Sequence, residues 1–243
     1  MTRGHSAILT YHSLDDTGSV ISTPPALFER QMAFLAASRT PVVPLDETLR
    51  RPGSVAITFD DGFRNLLDHA IPTLQRHGFP ATIFIVSDYC GRRNNWSTQP
   101  PGVPDLPLLS WRELSEMPST IEVGAHTVTH PNLNRISPEE CERELCTGKT
   151  EIEQRMGKPV RWLAYPYGAS SPAVKVLAGR HFGLAVGTAL RFLPSQPDCL
   201  DLPRIDTYYL RDRFPLDRLL TPSGSAYIWA RSLLREVRKW AAR

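Results

Sequence analysis

Short apolar runs alternate with amphipathic segments along almost the whole 243-residue chain, and this rhythm constrains the fold more than any other feature. The apolar runs are predicted strands, and the amphipathic segments carry the helical spacing of apolar residues. Predicted strands lie at 7–11, 54–59, 81–86, 121–124, 162–164 and 184–187, and predicted helices at 25–38, 65–77, 111–117, 138–156 and 172–180. Such repetition predicts a parallel sheet, either open or closed into a barrel. No repeat or linker divides the chain, so residues 1–243 are interpreted as a single domain.

Two helix boundaries are marked by the sequence itself. Ser137 is predicted as an N-cap, with Pro138 at the first helical position, where its missing N–H costs nothing. Gly78 and Pro80 are expected to end the helix predicted at 65–77.

Composition excludes several functional classes. The 28 Lys and Arg residues exceed the 25 Asp and Glu residues by three, too few to indicate nucleic-acid binding. The four cysteines lack C-x-x-C spacing, so a thiolate zinc site is not expected. No stretch approaches the roughly 20 apolar residues that span a membrane, and the first residues lack the apolar core of a secretion signal. A cytoplasmic location is therefore predicted.

One long segment interrupts the strand and helix rhythm. Residues 88–108 are rich in glycine and proline and hold Trp96 near their middle. A loop of this length inside a compact domain is usually functional or disordered. Trp96 is interpreted either as a surface on which a sugar ring stacks or as a residue that packs the loop against the domain.

The last segment, 225–243, is predicted to form a basic amphipathic helix. Its apolar stripe and the basic residues around it are Trp229, Leu233, Val237 and Trp240, and Arg231, Arg235, Arg238 and Lys239. The stripe is expected to dock on its own domain. Peripheral contact with an anionic membrane surface is the alternative.

Ionisable side chains follow several of the predicted strands. Asp60 and Asp61 come directly after one strand, and Gly62 permits the chain to turn there. His126 and His130 follow a later strand, four residues apart. Because the carboxyl ends of parallel strands meet at one edge, these side chains are expected to share a cleft. One Asp and two His can hold a metal ion with an open position, and the second Asp is free to take a proton from water.

These motifs resemble those of the polysaccharide deacetylase family, also known as the NodB-homology domain or carbohydrate esterase family 4. The matching segments are 58–62 (T-F-D-D-G), 79–84 (F-P-A-T-I-F), 109–114 (L-S-W-R-E-L), 126–130 (H-T-V-T-H) and 165–168 (Y-P-Y-G). The similarity covers most of residues 7–207. It implies a NodB-like, distorted (β/α) barrel, usually of seven strands. It also implies a hydrolase that removes N- or O-acetyl groups from carbohydrates with a divalent metal, most often Zn²⁺.

The resemblance further implies a role for each matching residue. Asp60 matches the catalytic base, and Asp61, His126 and His130 match the metal ligands. Tyr167 matches the tyrosine whose backbone N–H stabilises the oxyanion. The implied reaction hydrolyses a C–N bond other than a peptide bond in an N-acetylated saccharide.

Two features of the family are missing from this chain. The family motif Arg-x-Pro-Tyr reads A-Y-P-Y at 164–167, so the arginine that orients the base is absent there. Arg204 is the candidate substitute, with a structural or surface arginine as the alternative. The late Leu-x-His motif, the source of the general acid, is also absent, since no histidine follows His181. His12, after the first strand, is the candidate acid, and a structural histidine is the alternative.

An acid histidine near the amino terminus resembles the branch that contains the biofilm poly-N-acetylglucosamine deacetylases. The chain is therefore interpreted as a metal-dependent carbohydrate de-N-acetylase that acts in exopolysaccharide or surface-glycan assembly, on a precursor sugar or a lipid-linked saccharide. Two alternatives are a non-catalytic carbohydrate-binding protein on the same fold and a hydrolase of a non-sugar amide or cyclic ureide. A complete metal-ligand set with a base beside it argues against the binding protein.

Overall fold

The computed structural model describes residues 5–211, 216–219 and 221–241, without the side chains of 222, 236 and 238–241. The strands are β1 (Ala7–Tyr11), β2 (Ser13–Leu14), β3 (Ser22–Thr23), β4 (Val55–Phe59), β5 (Ala81–Ile85), β6 (Ile121–Ala125), β7 (Trp162–Ala164), β8 (Leu184–Val186) and β9 (Ile205–Asp206). The α-helices are α1 (Pro25–Ala37), α2 (Ala70–His77), α3 (Trp111–Ser115), α4 (Pro138–Met156), α5 (Pro172–Ala178) and α6 (Pro222–Ala241).

Seven of the strands form one parallel sheet in the order β8-β7-β6-β5-β4-β1-β9. Its two edges are joined through the segment that leads into β9. The Leu202 N–H donates to the Ala185 oxygen at 2.9 Å, and the Gly187 N–H donates to the Leu202 oxygen at 2.9 Å. The prediction of a distorted, seven-stranded (β/α) barrel is confirmed. The two-residue strand β9 had no apolar run long enough to be predicted.

Successive residues of each strand face opposite sides of the sheet, and this separates two apolar clusters. The outer cluster contains the apolar faces of the helices, such as Phe28 of α1 and Leu145 of α4. The inner cluster fills the barrel and consists mainly of Ile8, Leu45, Ala56, Phe84, Trp162, Ala164, Leu184, Val186 and Leu202. The sequence continues this inner face with polar residues at the carboxyl ends of the strands, including Thr10, Thr58 and Asp60. A polar layer therefore lies on top of the apolar barrel core.

Local sequence signals explain most helix boundaries. Ser137 caps α4 through a reciprocal capping box with Glu140, as predicted for the N-cap. Gly78 ends α2 in the left-handed conformation, with φ 66°. The prediction of one continuous helix over 65–77 is wrong, because a short 3₁₀ turn precedes a separate α2. Pro72 has no N–H to donate to residue 68, so it is tolerated in the first turn of α2 and not inside a longer helix.

The prediction for the last helix is only partly right. α6 begins at Pro222, three residues before the predicted start. The prediction that its apolar stripe docks on the domain is wrong for Trp229, Leu233 and Val237, which are all exposed. The helix packs instead through another face, where Ile228 is buried. The side chains of Trp240, Arg238 and Lys239 lie outside the described part. Among the described helices, none is both long and apolar enough to cross a bilayer.

Replacement of Gly124 by alanine is expected to lower the free energy of unfolding by about 1–3 kcal/mol, measured by urea denaturation. The added Cβ would lie 2.5 Å from the Phe84 ring and 3.2 Å from the Trp162 oxygen, so the ring would have to move within a packed barrel. Gly183→Ala is the matched control, since no atom lies within 4 Å of its added Cβ. Equal effects of the two substitutions would contradict close packing at Gly124.

Candidate active site

A cleft with a volume of about 340 Å³ opens at the carboxyl ends of the strands. All seven residues that the sequence singled out line this cleft: His12, Asp60, Asp61, His126, His130, Tyr167 and Arg204. They follow β1, β4, β6 and β7 or precede β9, so parallel strands bring together residues that are far apart in the chain. This is the position that parallel α/β folds use for their active sites.

Three of these residues form a buried cluster with the geometry of a metal site. Nε2 of His126 and Nε2 of His130 lie 3.2 Å apart, and each lies 3.5 Å from Oδ1 of Asp61. Ligand atoms around a tetrahedral zinc ion at its usual bond lengths lie about 3.3–3.5 Å apart. Among the described residues, this is the one group of three or more His, Cys, Asp or Glu that could hold a metal ion. The donor set therefore fits a divalent cation.

Hydrogen bonds at the other ring nitrogens aim both imidazoles at the same point. The Ala164 carbonyl can only accept, so His126 carries its proton on Nδ1 and donates it at 2.7 Å. Nδ1 of His130 donates to the Tyr167 hydroxyl at 3.2 Å, and that hydroxyl donates to the Thr98 oxygen at 2.8 Å. When both rings are neutral, the lone pairs of the two Nε2 atoms face each other beside a carboxylate. Such an arrangement is unfavourable unless a cation or a proton lies between them.

Burial and charge displace the pKa values within this cluster. Burial raises the pKa of Asp61, but the His126 hydrogen bond and the nearby histidine charges outweigh it and lower that pKa overall. Burial lowers the pKa of His130 to about 3, and the His126 charge acts in the same direction. For His126, burial is outweighed by Asp61 and Asp60, which raise its pKa. An ionised Asp61 and a neutral His130 are the states that metal ligation requires, whereas the raised pKa of His126 favours a proton that a bound cation would displace.

Strained backbone conformations are concentrated at the cleft. Among the described residues, five that are not glycine have a positive φ, and four of them belong to this site. They are Asp61 (68°), Thr127 (68°), His130 (59°) and Tyr167 (58°). The left-handed region costs about 1 kcal/mol or more for residues with a side chain. The surrounding fold maintains these turns because they direct Asp61 and His130 at a common point.

Helix α4 holds the histidine loop in place, which the sequence did not predict. The buried Glu144 carboxylate accepts hydrogen bonds from the N–H groups of Val128 and Thr129, at 2.8 and 2.9 Å. Gly148 of the same helix lets the backbone of Thr127 approach, since a Cβ there would lie 3.0 Å from the Thr127 carbonyl carbon. No spacing in the sequence connects Glu144 with the histidines, so only the fold reveals this contact.

Asp60 has a different partner from Asp61. Arg204 donates from Nη1 to Oδ1 of Asp60 at 2.7 Å and from Nη2 to Oδ2 at 2.6 Å. Its Nε donates to the Gly187 oxygen at 2.9 Å, and this third hydrogen bond fixes the orientation of the guanidinium group. Arg204 is only 2% exposed, which rules out the surface arginine considered from the sequence. Both carboxylate oxygens thus face one planar cation in a buried, bidentate pair.

The environment of Asp60 keeps this carboxylate ionised. Burial alone would raise its pKa, but the Arg204 guanidinium outweighs burial and holds the pKa well below its usual range. His12 lies near the same carboxylate, with Nε2 3.9 Å from Oδ2 of Asp60. The His12 side chain is 22% exposed and lines the cleft, so it is accessible from the solvent. Asp60 therefore has a fixed arginine and a partly exposed histidine as neighbours.

The long loop at 88–108 forms one wall of the cleft. Trp96 is buried, and its ring centroid lies 4.3 Å from that of His130, so the packing interpretation of this residue is the correct one. Thr98 donates from Oγ1 to the His130 oxygen at 2.8 Å and accepts from the Tyr167 hydroxyl. Thr98 carried no signal in the sequence. Arg235 of α6 also lines the cleft.

Comparison with known proteins identifies relatives by sequence. Residues 49–186 match the family model described as polysaccharide deacetylase. The poly-β-1,6-N-acetyl-D-glucosamine N-deacetylase of Staphylococcus aureus is 27% identical over 203 residues, covering 76% of this chain and 67% of that protein. The protein YxkH of Bacillus subtilis is 26% identical over 170 residues, covering 66% of this chain but only 56% of YxkH.

Two solved structures share the fold. The Streptococcus pyogenes deacetylase PplD, in complex with acetate, superposes with a TM-score of 0.72 at 22% identity and covers 84% of this chain and 93% of PplD. IcaB from Ammonifex degensii superposes with a TM-score of 0.71 at 21% identity and covers 93% of this chain and 96% of IcaB. With the family match extending over more than half of its length, the chain belongs to the polysaccharide deacetylase family.

Proposed function

We propose that this protein is a metal-dependent hydrolase that removes N-acetyl groups from saccharides. One observation carries the proposal: a buried Asp61–His126–His130 ligand set shares its cleft with the Asp60 carboxylate that Arg204 holds. A carbohydrate-binding protein needs neither group. Strained turns and buried charges reduce stability, so their concentration in this cleft favours a catalytic role. Membership of the polysaccharide deacetylase family supports the same reaction.

The proposed substrate is a glycan that contains N-acetylglucosamine. Support comes from the Staphylococcus aureus relative, whose name specifies poly-β-1,6-N-acetyl-D-glucosamine. A role in the assembly of an exopolysaccharide or surface glycan follows from such a substrate. The cytoplasmic location expected from the sequence stays a prediction.

In this proposal Asp61, His126 and His130 hold one divalent cation, and two imidazoles with one carboxylate suit zinc. When bound there, the cation supplies positive charge that acidifies water and polarises the acetamide carbonyl. The chain itself supplies the orientation of the ligands. The hydrogen bonds from Nδ1 of His126 to Ala164 and from Nδ1 of His130 to Tyr167 keep both Nε2 atoms directed at one point.

Asp60 is the proposed general base. Its carboxylate takes one proton from water as the water oxygen bonds to the carbonyl carbon of the acetamide. Arg204 keeps Asp60 ionised and fixes its orientation with two hydrogen bonds. The same arginine lowers the proton affinity of Asp60, so transfer to it depends on an acidified water. Arg204 is therefore a positioning residue in place of the missing motif arginine.

His12 is the proposed general acid. As the C–N bond breaks, a protonated His12 donates to the departing nitrogen, and the products are acetate and a free amine. Its position between Asp60 and the solvent supports this role. The backbone N–H of Tyr167 is the proposed donor to the oxyanion, supported by the left-handed turn that places this residue in the cleft wall.

The zinc-loaded protein is expected to release acetate from β-1,6-linked N-acetylglucosamine oligosaccharides, and metal-stripped protein is expected not to. Asp60→Asn should lower kcat by about 10²–10⁴-fold because the base is lost. Acetate release and metal content by elemental analysis are the measurements, and Asp88→Asn outside the cleft is the control. If no N-acetylated saccharide in a panel yields acetate, the deacetylase proposal fails, and assays for cyclic-ureide hydrolysis and glycan binding decide between the two alternatives.

His12→Ala is expected to lower kcat on the N-acetylated saccharide by about 10²–10⁴-fold with metal content unchanged. Hydrolysis of an activated aryl acetate should lose much less, because its leaving group departs without a proton. Steady-state kinetics on the two substrates measure the contrast, with His69→Ala as the control. Unchanged turnover of the saccharide, or equal losses on both substrates, would remove His12 from the acid role.

Arg204→Met is expected to lower the free energy of unfolding by about 3–5 kcal/mol, because it leaves the Asp60 charge buried without its partner. The double variant Asp60→Asn with Arg204→Met should recover a substantial part of this loss. Urea denaturation of the two single variants, Arg204→Met and Asp60→Asn, and of the double variant measures the coupling. Arg112→Met, which breaks an exposed pair with Glu116, should have a much smaller effect on the free energy of unfolding, because solvent screens that pair. Equal stability of the single and double variants would contradict a buried pair.

A further inference from the structure

The outer face of α6 exposes a run of large apolar side chains. Trp229, Leu233 and Val237 recur every four residues and are 69%, 53% and 55% exposed, and Leu234 beside them is 51% exposed. The described part of the chain has eight large apolar residues that are exposed, and half of them lie on this helix. We call these four residues the α6 stripe. A concentration of this kind marks a surface that contacts an apolar partner.

The opposite face of α6 is already occupied. Ile228 is buried, and the Tyr227 hydroxyl donates to the Tyr209 oxygen at 2.8 Å. Arg231 lies over the Tyr209 ring at 5.0 Å, and Arg235 donates to the Thr188 oxygen at 2.7 Å. These contacts anchor the helix on the domain with the α6 stripe directed away from it. The stripe is therefore not the face through which α6 packs on its own domain.

The segment that carries the stripe also carries the positive charge of the protein. Residues 226–243 hold five basic residues and one acidic residue, a net charge of +4. The whole chain has a net charge of +3, so residues 1–225 together are at −1. An amphipathic helix that combines tryptophan, leucine and valine on one face with basic residues is typical of a surface that binds anionic lipid.

We propose that the outer face of α6 binds the surface of an anionic lipid bilayer. The stripe lies at the boundary between headgroups and acyl chains, and the positive charge of residues 238–243 attracts the lipid phosphates. A second copy of the chain fits this surface less well. A two-fold dimer through the stripe would bring two +4 segments together, and such like-charge contacts are unfavourable.

The membrane-binding face of α6 lies close to the cleft. Arg235 of α6 and the exposed Val20 both line the cleft that contains Asp60. An α-helix with its side chains is about 10–12 Å across, so the bilayer surface would lie about one helix diameter from the cleft wall. Taken with the proposed function, this geometry favours a glycan that is held at a membrane. The lipid binding itself does not depend on the deacetylase reaction.

Co-sedimentation of the full chain with vesicles tests the proposal. The protein is expected to bind phosphatidylcholine vesicles that contain phosphatidylglycerol, to bind pure phosphatidylcholine weakly, and to be released by high salt. Trp229→Ser with Leu233→Ser should lower the partition coefficient at least tenfold. Val176→Ser, which removes an equally exposed apolar side chain on α5, is the control and should leave binding unchanged.

A second variant removes positive charge from α6 and leaves the α6 stripe intact, so it tests the electrostatic contribution to vesicle binding separately. Arg238→Gln with Lys239→Gln should weaken binding about fivefold for each charge removed. Arg30→Gln with Arg76→Gln removes the same charge from α1 and α2 and is expected to have little effect. Thermal denaturation of each variant verifies that it is folded, and acetate release verifies that its cleft is active. Both are measured separately from vesicle binding.

Three results would overturn the proposal. One is an absence of binding to phosphatidylglycerol vesicles while acetate release is intact. Another is binding that the α6 variants and their controls reduce equally. The third is a dimer in sedimentation velocity that Trp229→Ser with Leu233→Ser dissociates, without vesicle binding, since a second copy would then occupy the stripe.

Discussion

The buried pair of Asp60 and Arg204 is the interaction on which the rest of the site depends. Its two residues are 144 positions apart, and they meet because the segment before β9 joins β8 to β1 and closes the barrel. The guanidinium also binds the Gly187 oxygen and lies over the Phe84 ring at 5.9 Å, on top of the apolar interior. A charge at this depth is stable only with a partner, so closure of the barrel and placement of the carboxylate are coupled.

The adjacent carboxylates of Asp60 and Asp61 have different neighbours, and therefore different chemical properties. Asp60 faces Arg204, which holds it ionised, whereas Asp61 turns through a positive φ toward His126 and His130. The neighbours of each carboxylate, and not its residue type, separate a candidate base from a candidate metal ligand. The supports lie outside the motifs: Glu144 and Gly148 of α4 position the histidine loop, and Thr98 connects the long loop with His130 and Tyr167.

Much of the fold could be predicted from the sequence because strands and helices depend on local periodicity. Six of the seven barrel strands coincide with predicted apolar runs to within a residue or two, and Ser137 marks the start of α4. The errors have local causes as well. β9 is too short for a periodic signal, and Pro72 divides a segment whose apolar spacing suggested one continuous helix. The α6 stripe was recognised, but its direction was not, since amphipathicity alone does not say which face of a helix the domain covers.

The sequence by itself determined the alternation of strands and helices, the family motifs and the identity of seven residues that line the cleft. These features are local, and the carboxyl ends of parallel strands converge whatever lies between them. Only the tertiary structure decided that Arg204 is a buried partner of Asp60, that His12 reaches the same carboxylate and that the stripe of α6 faces outward. Each of these features depends on how segments that are far apart in the chain pack against one another. Their distances depend on how the barrel closes, a property that no local pattern encodes.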